Sequence, residues 1–360
     1  MVTTAGKEPA PGAGGSLLVM IASPLEPELV DRIRAVPAVA DVLYDLALLP
    51  PALYPNDHGG DPSFVRSEHQ EARWQEMLGQ AHALFGYPQE SSAELARALQ
   101  LGPNVRFVQG TSAGMGAHIR HADLPAEVLD RVSFASASGV HGGMLAEFVF
   151  YGLLALRKDV ARLAQIRSAR TWTHYTMGEL QDSTIAVVGM GHIGRAIATR
   201  ARSFGMEVLA VTRTGAPESL ADAAFPTSDL ESAFRRSDAV VVTLPLTTAT
   251  EGLVSRDLLT SLRPSAIFCN VGRGAVVDQD ALVEMLQGGH LAGAVLDVFT
   301  NEPLAPDDPL WSMDNVVLSP HTAALSAQES ERIVNLFCEN LGRLSVGEHL
   351  LSEVNLVEFY

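Results

Sequence analysis

Apolar and polar positions alternate in blocks along the second half of the chain. Short apolar, β-branched runs are each followed by a helical pattern of apolar and polar residues. Strands that are apolar without interruption are buried on both faces, which is typical of a parallel sheet covered by helices. The pattern therefore predicts a doubly wound α/β domain. The predicted strands are 184–188, 207–212, 239–244, 266–270, 294–297 and 316–319, and the predicted helices are 193–204, 229–236, 257–262 and 280–287.

The first third of the chain has a less regular pattern. Residues 48–65 are rich in Pro, Gly and Asp and predict a long surface loop, of the kind that serves as a lid or an insertion. Residues 1–16 are rich in Gly, Ala and Pro and predict a disordered tail. The predicted regular elements are strands at 17–22, 81–86 and 105–109, a helix at 26–34, and a second helix capped by Ser91.

A strongly apolar helix is predicted at 142–157, directly before the regular half. Its longest apolar stretch, 148–156, lies between Glu147 and Arg157 and is too short to span a bilayer. We interpret it as an internal or interface helix. The first apolar run of the chain is too short for a secretory signal, so no leader is expected.

Composition narrows the class of protein. The 360 residues suggest about two domains. The net charge is −17, from 25 basic and 42 acidic residues, which argues against general nucleic-acid binding and against anionic membranes. Two cysteines, Cys269 and Cys338, give no disulfide framework, and Cys269 lies in an apolar run typical of a buried position. A reducing cytoplasm is the expected compartment.

A glycine loop follows the strand at 184–188 and opens the next helix. Gly189, Gly191 and Gly194 stand in the G-x-G-x-x-G spacing. The first glycine permits the tight turn, the second lets the backbone approach a pyrophosphate, and the third lets the helix pack on the strand. With the helix N-terminus, where His192 and Ile193 lie, this loop predicts a dinucleotide site.

The end of the strand at 207–212 bears on the choice of cofactor. NAD-binding sites usually place an acidic residue there to hold the ribose hydroxyls, whereas this chain has Thr212, Arg213 and Thr214. We interpret them as a clamp for a 2′-phosphate, which predicts that NADP(H) is preferred while NAD(H) remains usable. Two alternatives stay open: Arg213 is an ordinary exposed loop residue, or it stacks on the adenine and helps both cofactors.

Three further strands are each followed by a reactive side chain. Arg273, Glu302 and His321 follow the strands at 266–270, 294–297 and 316–319. Because ligands bind outside the carboxyl ends of the strands in such sheets, these residues should converge beside the cofactor. Arg can fork onto a carboxylate, His can transfer a proton, and Glu can hold the His.

At these motifs the chain resembles the D-isomer-specific 2-hydroxyacid dehydrogenase family, in particular hydroxypyruvate and glyoxylate reductases. The resemblance is close over roughly 101–324 and loose over the first 100 residues. It implies a Rossmann dinucleotide-binding domain, 138–322, inserted into a flavodoxin-like substrate domain, 1–137 with 323–360. The matching motifs are 109–114, 146–148, 189–194, 244–247 with Thr250, 270–278, 297–304 and 319–321.

The resemblance also implies roles for individual residues. Arg273 would bind the carboxylate and carbonyl oxygen of the substrate, Glu302 would partner His321, and His321 would be the acid and base. The backbone at Ala113 and Gly114 resembles the family's carboxylate-binding loop. The expected cofactor contacts, from the glycine loop and the resemblance together, are Gly189, Gly191, His192, Ile193, Gly194, Thr212, Arg213, Thr214, Leu244, Pro245, Thr250, Val271 and Asp297.

The function expected from these residues is reduction of a 2-keto acid to a D-2-hydroxy acid, and the reverse, by hydride transfer from NAD(P)H with His321 as proton donor. Two alternatives remain: a redox-sensing co-repressor of the same fold, or oxidation of another small anion. Formate is disfavoured because that branch of the family lacks the Glu–His pair. The family is usually dimeric, and helix 142–157 would fit the interface. His118 and His121 have no evident third ligand, so no metal is expected.

Overall fold

The computed structural model describes residues 17–357 and Phe359, and it divides into two compact units. The first unit ends at Val140 and resumes at Leu325, and the second is His141–Ala324. The second unit is therefore inserted into the sequence of the first. Each unit is built on one parallel sheet, which confirms the predicted α/β class with two parallel-sheet domains.

The first unit has a five-stranded sheet in the order β2-β1-β3-β4-β5, which is the flavodoxin-like order. The C-terminal helix, Glu329–Val346, contributes the buried Phe337 to its core, where Phe337 packs on Phe85 and Phe107. The strands are β1 (Leu17–Ile21), β2 (Val39–Leu43), β3 (Ala83–Phe85), β4 (Phe107–Gln109) and β5 (Ser133–Ala135), and the helices are α1 (Pro27–Arg34), α2 (Glu68–Gln80), α3 (Ser92–Leu101), α4 (Met115–His121) and α5 (Ala126–Arg131).

Some elements of this unit follow from local signals and others do not. Ser91 caps α3 by accepting a hydrogen bond from the Glu94 amide, as the sequence predicts. Strand β2 and helix α2 were not predicted. β2 is an edge strand in which only Val42 is buried, and α2 is a polar helix with three buried residues, so neither shows a clear apolar pattern.

The segment predicted as a loop is irregular from residue 49 to 67, but it is more than a surface loop. Asp57 is buried, and its carboxylate accepts hydrogen bonds from the amides of Leu53, Gly59 and Gly60. Asn56 donates to the carbonyl of Ser326 and accepts from the Ser330 hydroxyl. Side chains within the segment therefore hold it in one conformation and tie it to the start of the C-terminal helix.

The second unit has a seven-stranded sheet in the order β12-β11-β10-β9-β6-β7-β8. This is the Rossmann order with a seventh strand added beside the sixth. All six predicted strands are present, and the missed one, β8, is a half-buried edge strand. The strands are β6 (Thr184–Val188), β7 (Glu207–Thr212), β8 (Ala223–Pro226), β9 (Ala239–Val242), β10 (Ile267–Asn270), β11 (Gly293–Leu296) and β12 (Val316–Leu318).

Helices cover both faces of this sheet. Helix α6 (Gly142–Arg157) packs closely on β11, since a Cβ at Gly152 would lie 2.4 Å from a methyl carbon of Val295. No helix in the described part of the chain is long and apolar enough to cross a membrane. The helices of this unit are α6 (Gly142–Arg157), α7 (Val160–Ala169), α8 (His192–Ser203), α9 (Leu230–Arg236), α10 (Arg256–Thr260) and α11 (Gln279–Gln287).

Candidate active site

The glycine loop joins β6 to α8 and has the geometry of a phosphate cradle. Gly189 has φ +103°, and a Cβ at Gly194 would lie 1.9 Å from the Gly189 carbonyl oxygen, so both positions require glycine. Gly191 is the N-cap of α8, no side chain caps the helix, and a Cβ there would meet nothing within 4 Å. The first amides of a helix have no partner within the helix and can bind an anion. The loop therefore fits a pyrophosphate.

Thr243 supports this loop, and it is not among the residues predicted from the sequence. Its hydroxyl donates to the carbonyl of Gly189 at 2.8 Å and lies 3.2 Å from the carbonyl of Val188. Thr243 follows β9, which neighbours β6 in the sheet. Only the strand order brings the two chain segments together, so no local motif signals this contact.

Further residues expected to contact the cofactor lie at the ends of β9 and β10. Leu244 packs against the β10 loop, since a Cβ at Gly272 would lie 2.5 Å from the Leu244 carbonyl oxygen. The Thr250 hydroxyl donates to the carbonyl of Pro245 and accepts from the amide of Thr247, so it shapes the turn itself. Val271 is buried, and its amide donates to the carbonyl of Val242.

The end of β7 carries no carboxylate at the expected ribose position. The Thr212 hydroxyl accepts a hydrogen bond from the Gly215 amide at 3.0 Å, while Arg213 and Thr214 are exposed. The nearby Glu218 forms an ion pair with Arg195 of α8 at 2.8 Å. The turn thus places an exposed guanidinium and an exposed hydroxyl at the end of β7.

Arg273 is held by the turn that follows β10. The Asn270 amide nitrogen donates to the Arg273 carbonyl, and its oxygen accepts from the Gly272 amide. Gly274 packs on the next loop, because a Cβ there would lie 1.9 Å from the carbonyl carbon of Phe299. Burial lowers the pKa of the Arg273 guanidinium, and the charges of Glu302 and Asp297 oppose that shift. Arg273 is therefore a half-buried cation in the field of two carboxylates.

Glu302 and His321 form a pair at the same edge of the sheet. The Glu302 Oε2 lies 2.7 Å from the His321 Nδ1, and its Oε1 accepts from the Phe299 amide at 3.0 Å. Since an ionised carboxylate only accepts, Nδ1 carries the shared hydrogen. The side chain of His321 is 45% exposed, so the imidazole is accessible while one edge is fixed. This is the arrangement of an oriented acid–base histidine.

Asp297 holds the loop that bears this histidine. Its Oδ1 accepts from the Ser319 hydroxyl at 2.8 Å and from the Ala323 amide at 3.0 Å, and the carboxylate is buried. His321 has φ +56°, a left-handed backbone that needs such support. Asp297 is expected from the sequence to contact the cofactor, and in the structure it also fixes the backbone around His321.

The loop expected to bind the carboxylate lies in the first unit, after β4. Ala113 is exposed, and Gly114 is the N-cap of α4. His118 on this helix contacts the hydroxyl of the buried Tyr87 through a short hydrogen bond. Burial raises the pKa of that phenol well above its ordinary value. Within the part of the chain that the structure describes, no three side chains are arranged to hold a metal ion.

A Rossmann sheet with a phosphate-binding loop, and an Arg beside a Glu–His pair at the same edge, define the class of NAD(P)-dependent oxidoreductases. The family model of the D-isomer specific 2-hydroxyacid dehydrogenase NAD-binding domain matches residues 150–323. Glyoxylate reductase from Thermofilum pendens is 33% identical over 262 residues, which cover 70% of this chain and 76% of the relative. The chain belongs to the D-isomer specific 2-hydroxyacid dehydrogenase family.

Two further comparisons agree with this assignment. Glyoxylate reductase from Korarchaeum cryptofilum is 33% identical over 262 residues, covering 70% of this chain and 77% of that protein. The crystal structure of a D-isomer specific 2-hydroxyacid dehydrogenase from Xanthobacter autotrophicus Py2, in complex with NADPH and MES, superimposes with a TM-score of 0.75. That match has 26% identity and covers 96% of this chain and all of the other.

Proposed function

We propose that the protein reduces a 2-keto acid to a D-2-hydroxy acid, and catalyses the reverse, with NAD(P)H as hydride donor and His321 as proton donor. The observation that carries the proposal is the Glu302–His321 pair at 2.7 Å, at the sheet edge that also bears Arg273 and the glycine loop. The names of the glyoxylate reductases similar to this chain support a small 2-keto acid as substrate.

Arg273, Glu302 and His321 each take part in this reaction. A nicotinamide cofactor bound at the glycine loop would supply the hydride for the keto carbon. Arg273 forks onto the carboxylate and stabilises the charge that develops on the carbonyl oxygen. His321 delivers the proton to that oxygen from Nε2, while Glu302 keeps the ring in place and stabilises its cationic form. In the oxidative direction neutral His321 takes the hydroxyl proton.

Other residues position this group. Asn270 sets the turn that presents Arg273, and Asp297 holds the His321 loop. On the first unit, the backbone at Ala113 and Gly114 is proposed to bind the substrate carboxylate. The proposed cofactor contacts are the glycine loop and the residues at the ends of β7, β9, β10 and β11 expected from the sequence.

We propose that NADP(H) is preferred and that NAD(H) remains usable. Arg213 and Thr214 are exposed at the end of β7. A guanidinium there can bind a 2′-phosphate, and no carboxylate stands at Thr212 to repel it. Nothing in this turn blocks an unphosphorylated ribose.

A homodimer in the cytoplasm is proposed as the working state. Helix α7 has no buried residue in the single chain, and Trp172 beyond it is 92% exposed. Tyr151 on α6 is also largely exposed, although most of α6 packs on the sheet. A second copy covering these aromatic residues would fit the dimer that the family resemblance implies. Both cysteines are free thiols, which suits a reducing compartment.

The test is turnover of a panel of 2-keto acids with NADPH and NADH, followed by loss of the reduced-nicotinamide absorbance and by chiral analysis of the product. Glyoxylate gives an achiral product on reduction, so the panel includes pyruvate and hydroxypyruvate. A D-product from at least one acid supports the proposal. Tight dinucleotide binding without turnover of any acid would favour the redox-sensing co-repressor. Turnover confined to an anion that is not a keto acid would favour the oxidation of another small anion.

A further inference from the structure

A cavity of about 460 Å³ lies in the first unit and is lined in part by the irregular segment from residue 49 to 67. The resemblance to the family is loose in this part of the chain. The cavity volume falls within the range of small-molecule sites, about 300–1,000 Å³. About half of its lining is apolar, including Pro50, Phe64 and Pro88, and the rest is polar or charged, including Glu71, Glu94 and Arg97. None of the residues assigned above to substrate or cofactor lines it.

Arg66 is the buried polar group of this cavity. Its side chain is 8% exposed, and its guanidinium stacks on Trp74 with its central carbon 3.9 Å from the ring centroid. Nε donates to the Leu48 carbonyl at 2.7 Å. Nη1 lies 3.9 Å from the nearer Glu71 oxygen, which is too long for a hydrogen bond. Among the described residues, the two terminal nitrogens have no hydrogen-bond acceptor.

The acidic neighbours of Arg66 are shared with a second cation, Arg97. The other oxygen of Glu71 lies 2.5 Å from Arg97, and Glu94 lies 3.6 Å from Arg97. Burial lowers the pKa of Arg66, and the charge of Glu71 opposes this shift. The cavity thus contains a nearly buried cation with donors directed to no protein acceptor.

We propose that this cavity binds a small organic monocarboxylate, with the carboxylate on Arg66 and an apolar body against the proline and phenylalanine walls. The planar fork of Arg matches a carboxylate with two parallel hydrogen bonds. Glu71 and Glu94 disfavour a phosphate dianion in the same space, so the site selects a single negative charge. The structural alternative is that Arg66 only clamps the segment onto α2 by stacking on Trp74.

The test is calorimetric titration of the full-length chain with benzoate, against benzamide and inorganic phosphate as controls. We expect saturable binding of benzoate, at least about tenfold weaker binding of both controls, and a loss of about tenfold or more in Arg66→Met. Arg73→Met is the matched control, because Arg73 lies on α2, is exposed and pairs with Glu76. It should bind benzoate as the wild type does.

A second variant covers the case in which Arg66→Met fails to fold. Val65 lines the cavity and is 83% exposed, so Val65→Glu adds a competing carboxylate without removing a packed side chain. It should also lose benzoate binding. Equal affinity in the wild type and in either cavity variant would overturn the proposal. Binding that is abolished by Arg273→Leu but not by Val65→Glu would also overturn it, because the acid would then lie at the proposed catalytic site.

The acid is proposed as a ligand separate from the substrate, so Arg66→Met should leave the KM of pyruvate unchanged. This comparison depends on the proposed function, whereas the calorimetry does not. A raised KM for pyruvate in Arg66→Met, with NADPH binding unchanged, would contradict a site separate from the substrate.

Discussion

The loops at the carboxyl ends of the strands differ in how the two units hold them. In the second unit several supports are local, since Asn270 bonds to Arg273 three residues on and Glu302 bonds to Phe299, although Asp297 and Thr243 also hold loops 26 and 54 positions away. In the first unit, the segment from residue 49 to 67 is tied through Asn56 to Ser326, 270 positions away. Local supports leave short motifs in the sequence, and distant supports leave none. The candidate catalytic loops were therefore recognisable, whereas the segment around Asn56 was not.

The largest loss of activity is expected on replacing His321, the proposed proton donor. His321→Asn should lower kcat for reduction by about 10²–10⁴-fold, because proton transfer by a positioned side chain contributes that much. Binding of NADPH, measured by fluorescence titration, should be nearly unchanged. His349→Asn is the control, since His349 is exposed in the first unit. Loss of cofactor binding in His321→Asn would mean that the residue supports the fold instead.

The same role predicts a pH dependence with a definite sign. Reduction requires the protonated imidazole, so the reductive rate of the wild type should fall as pH rises. Oxidation requires the neutral ring and should rise with pH. A reductive rate that stays constant from acidic to alkaline pH would contradict proton delivery by His321.

A somewhat smaller effect is expected at Arg273. Arg273→Lys keeps the charge but removes the planar fork, so kcat/KM for the keto acid should fall by about 10²-fold. The dissociation constant of NADPH should hardly change. Arg263→Lys provides the comparison, because Arg263 is an exposed arginine of the same unit that pairs with Asp238. Equal losses of cofactor and substrate binding would show that Arg273 is structural.

A smaller effect is expected at Arg213, the proposed contact to the 2′-phosphate, because this residue lies at an exposed turn. Arg213→Ala should raise the KM of NADPH by about tenfold to a hundredfold, as expected for charge-assisted hydrogen bonds of roughly 1.5–3 kcal/mol. The KM of NADH should stay nearly constant. Both titrations are made at one salt concentration, since salt screens an exposed charge. Equal losses with both cofactors would indicate stacking on the adenine, and a wild-type preference for NADH would contradict the clamp.

The hydrogen bonds that Asn56 forms with Ser326 and Ser330 should contribute to the free energy of unfolding. Asn56→Ala removes two hydrogen bonds to the start of the C-terminal helix and places alanine at φ +61°, so it should destabilise the protein by about 1–3 kcal/mol. Asn56→Gly accepts that backbone conformation and isolates the lost hydrogen bonds. Urea denaturation measures both. If alanine and glycine variants are as stable as the wild type, the segment is not held by Asn56.

The alkylation rates of the two thiols compare the units directly, because Cys338 lies in the first unit and Cys269 in the second. Burial raises the pKa of Cys338 to about 11, and the charge of Arg32 opposes that shift. Its thiol is therefore protonated at pH 8, and alkylation by iodoacetamide should be slow there and rise about tenfold per pH unit toward that pKa. Cys269 in β10 is completely buried and should react only when the protein unfolds. Fast reaction of both thiols at pH 8 would indicate opening of the second sheet.

Elements with short-range causes could be predicted from the residues alone. Continuous apolar runs predicted six of the seven strands in the sheet of the second unit. The spacing of Gly189 and Gly194 reflects a contact between residues five positions apart. The reactive residues after three strands were also apparent, because parallel strands expose their carboxyl ends at one edge. Edge strands such as β2 and β8 escaped detection, since partial burial leaves no clear apolar pattern.

Which distant groups meet depends on the folded chain. The hydrogen bond from Thr243 to Gly189, the pairing of Glu218 with Arg195, and the closure of a cavity around Arg66 each join segments that are far apart in sequence or lack a repeating pattern. Such contacts depend on strand order and on how loops fold back over helices. The spacing of apolar residues indicates which face of a helix or strand is buried. It does not indicate which other element packs against that face.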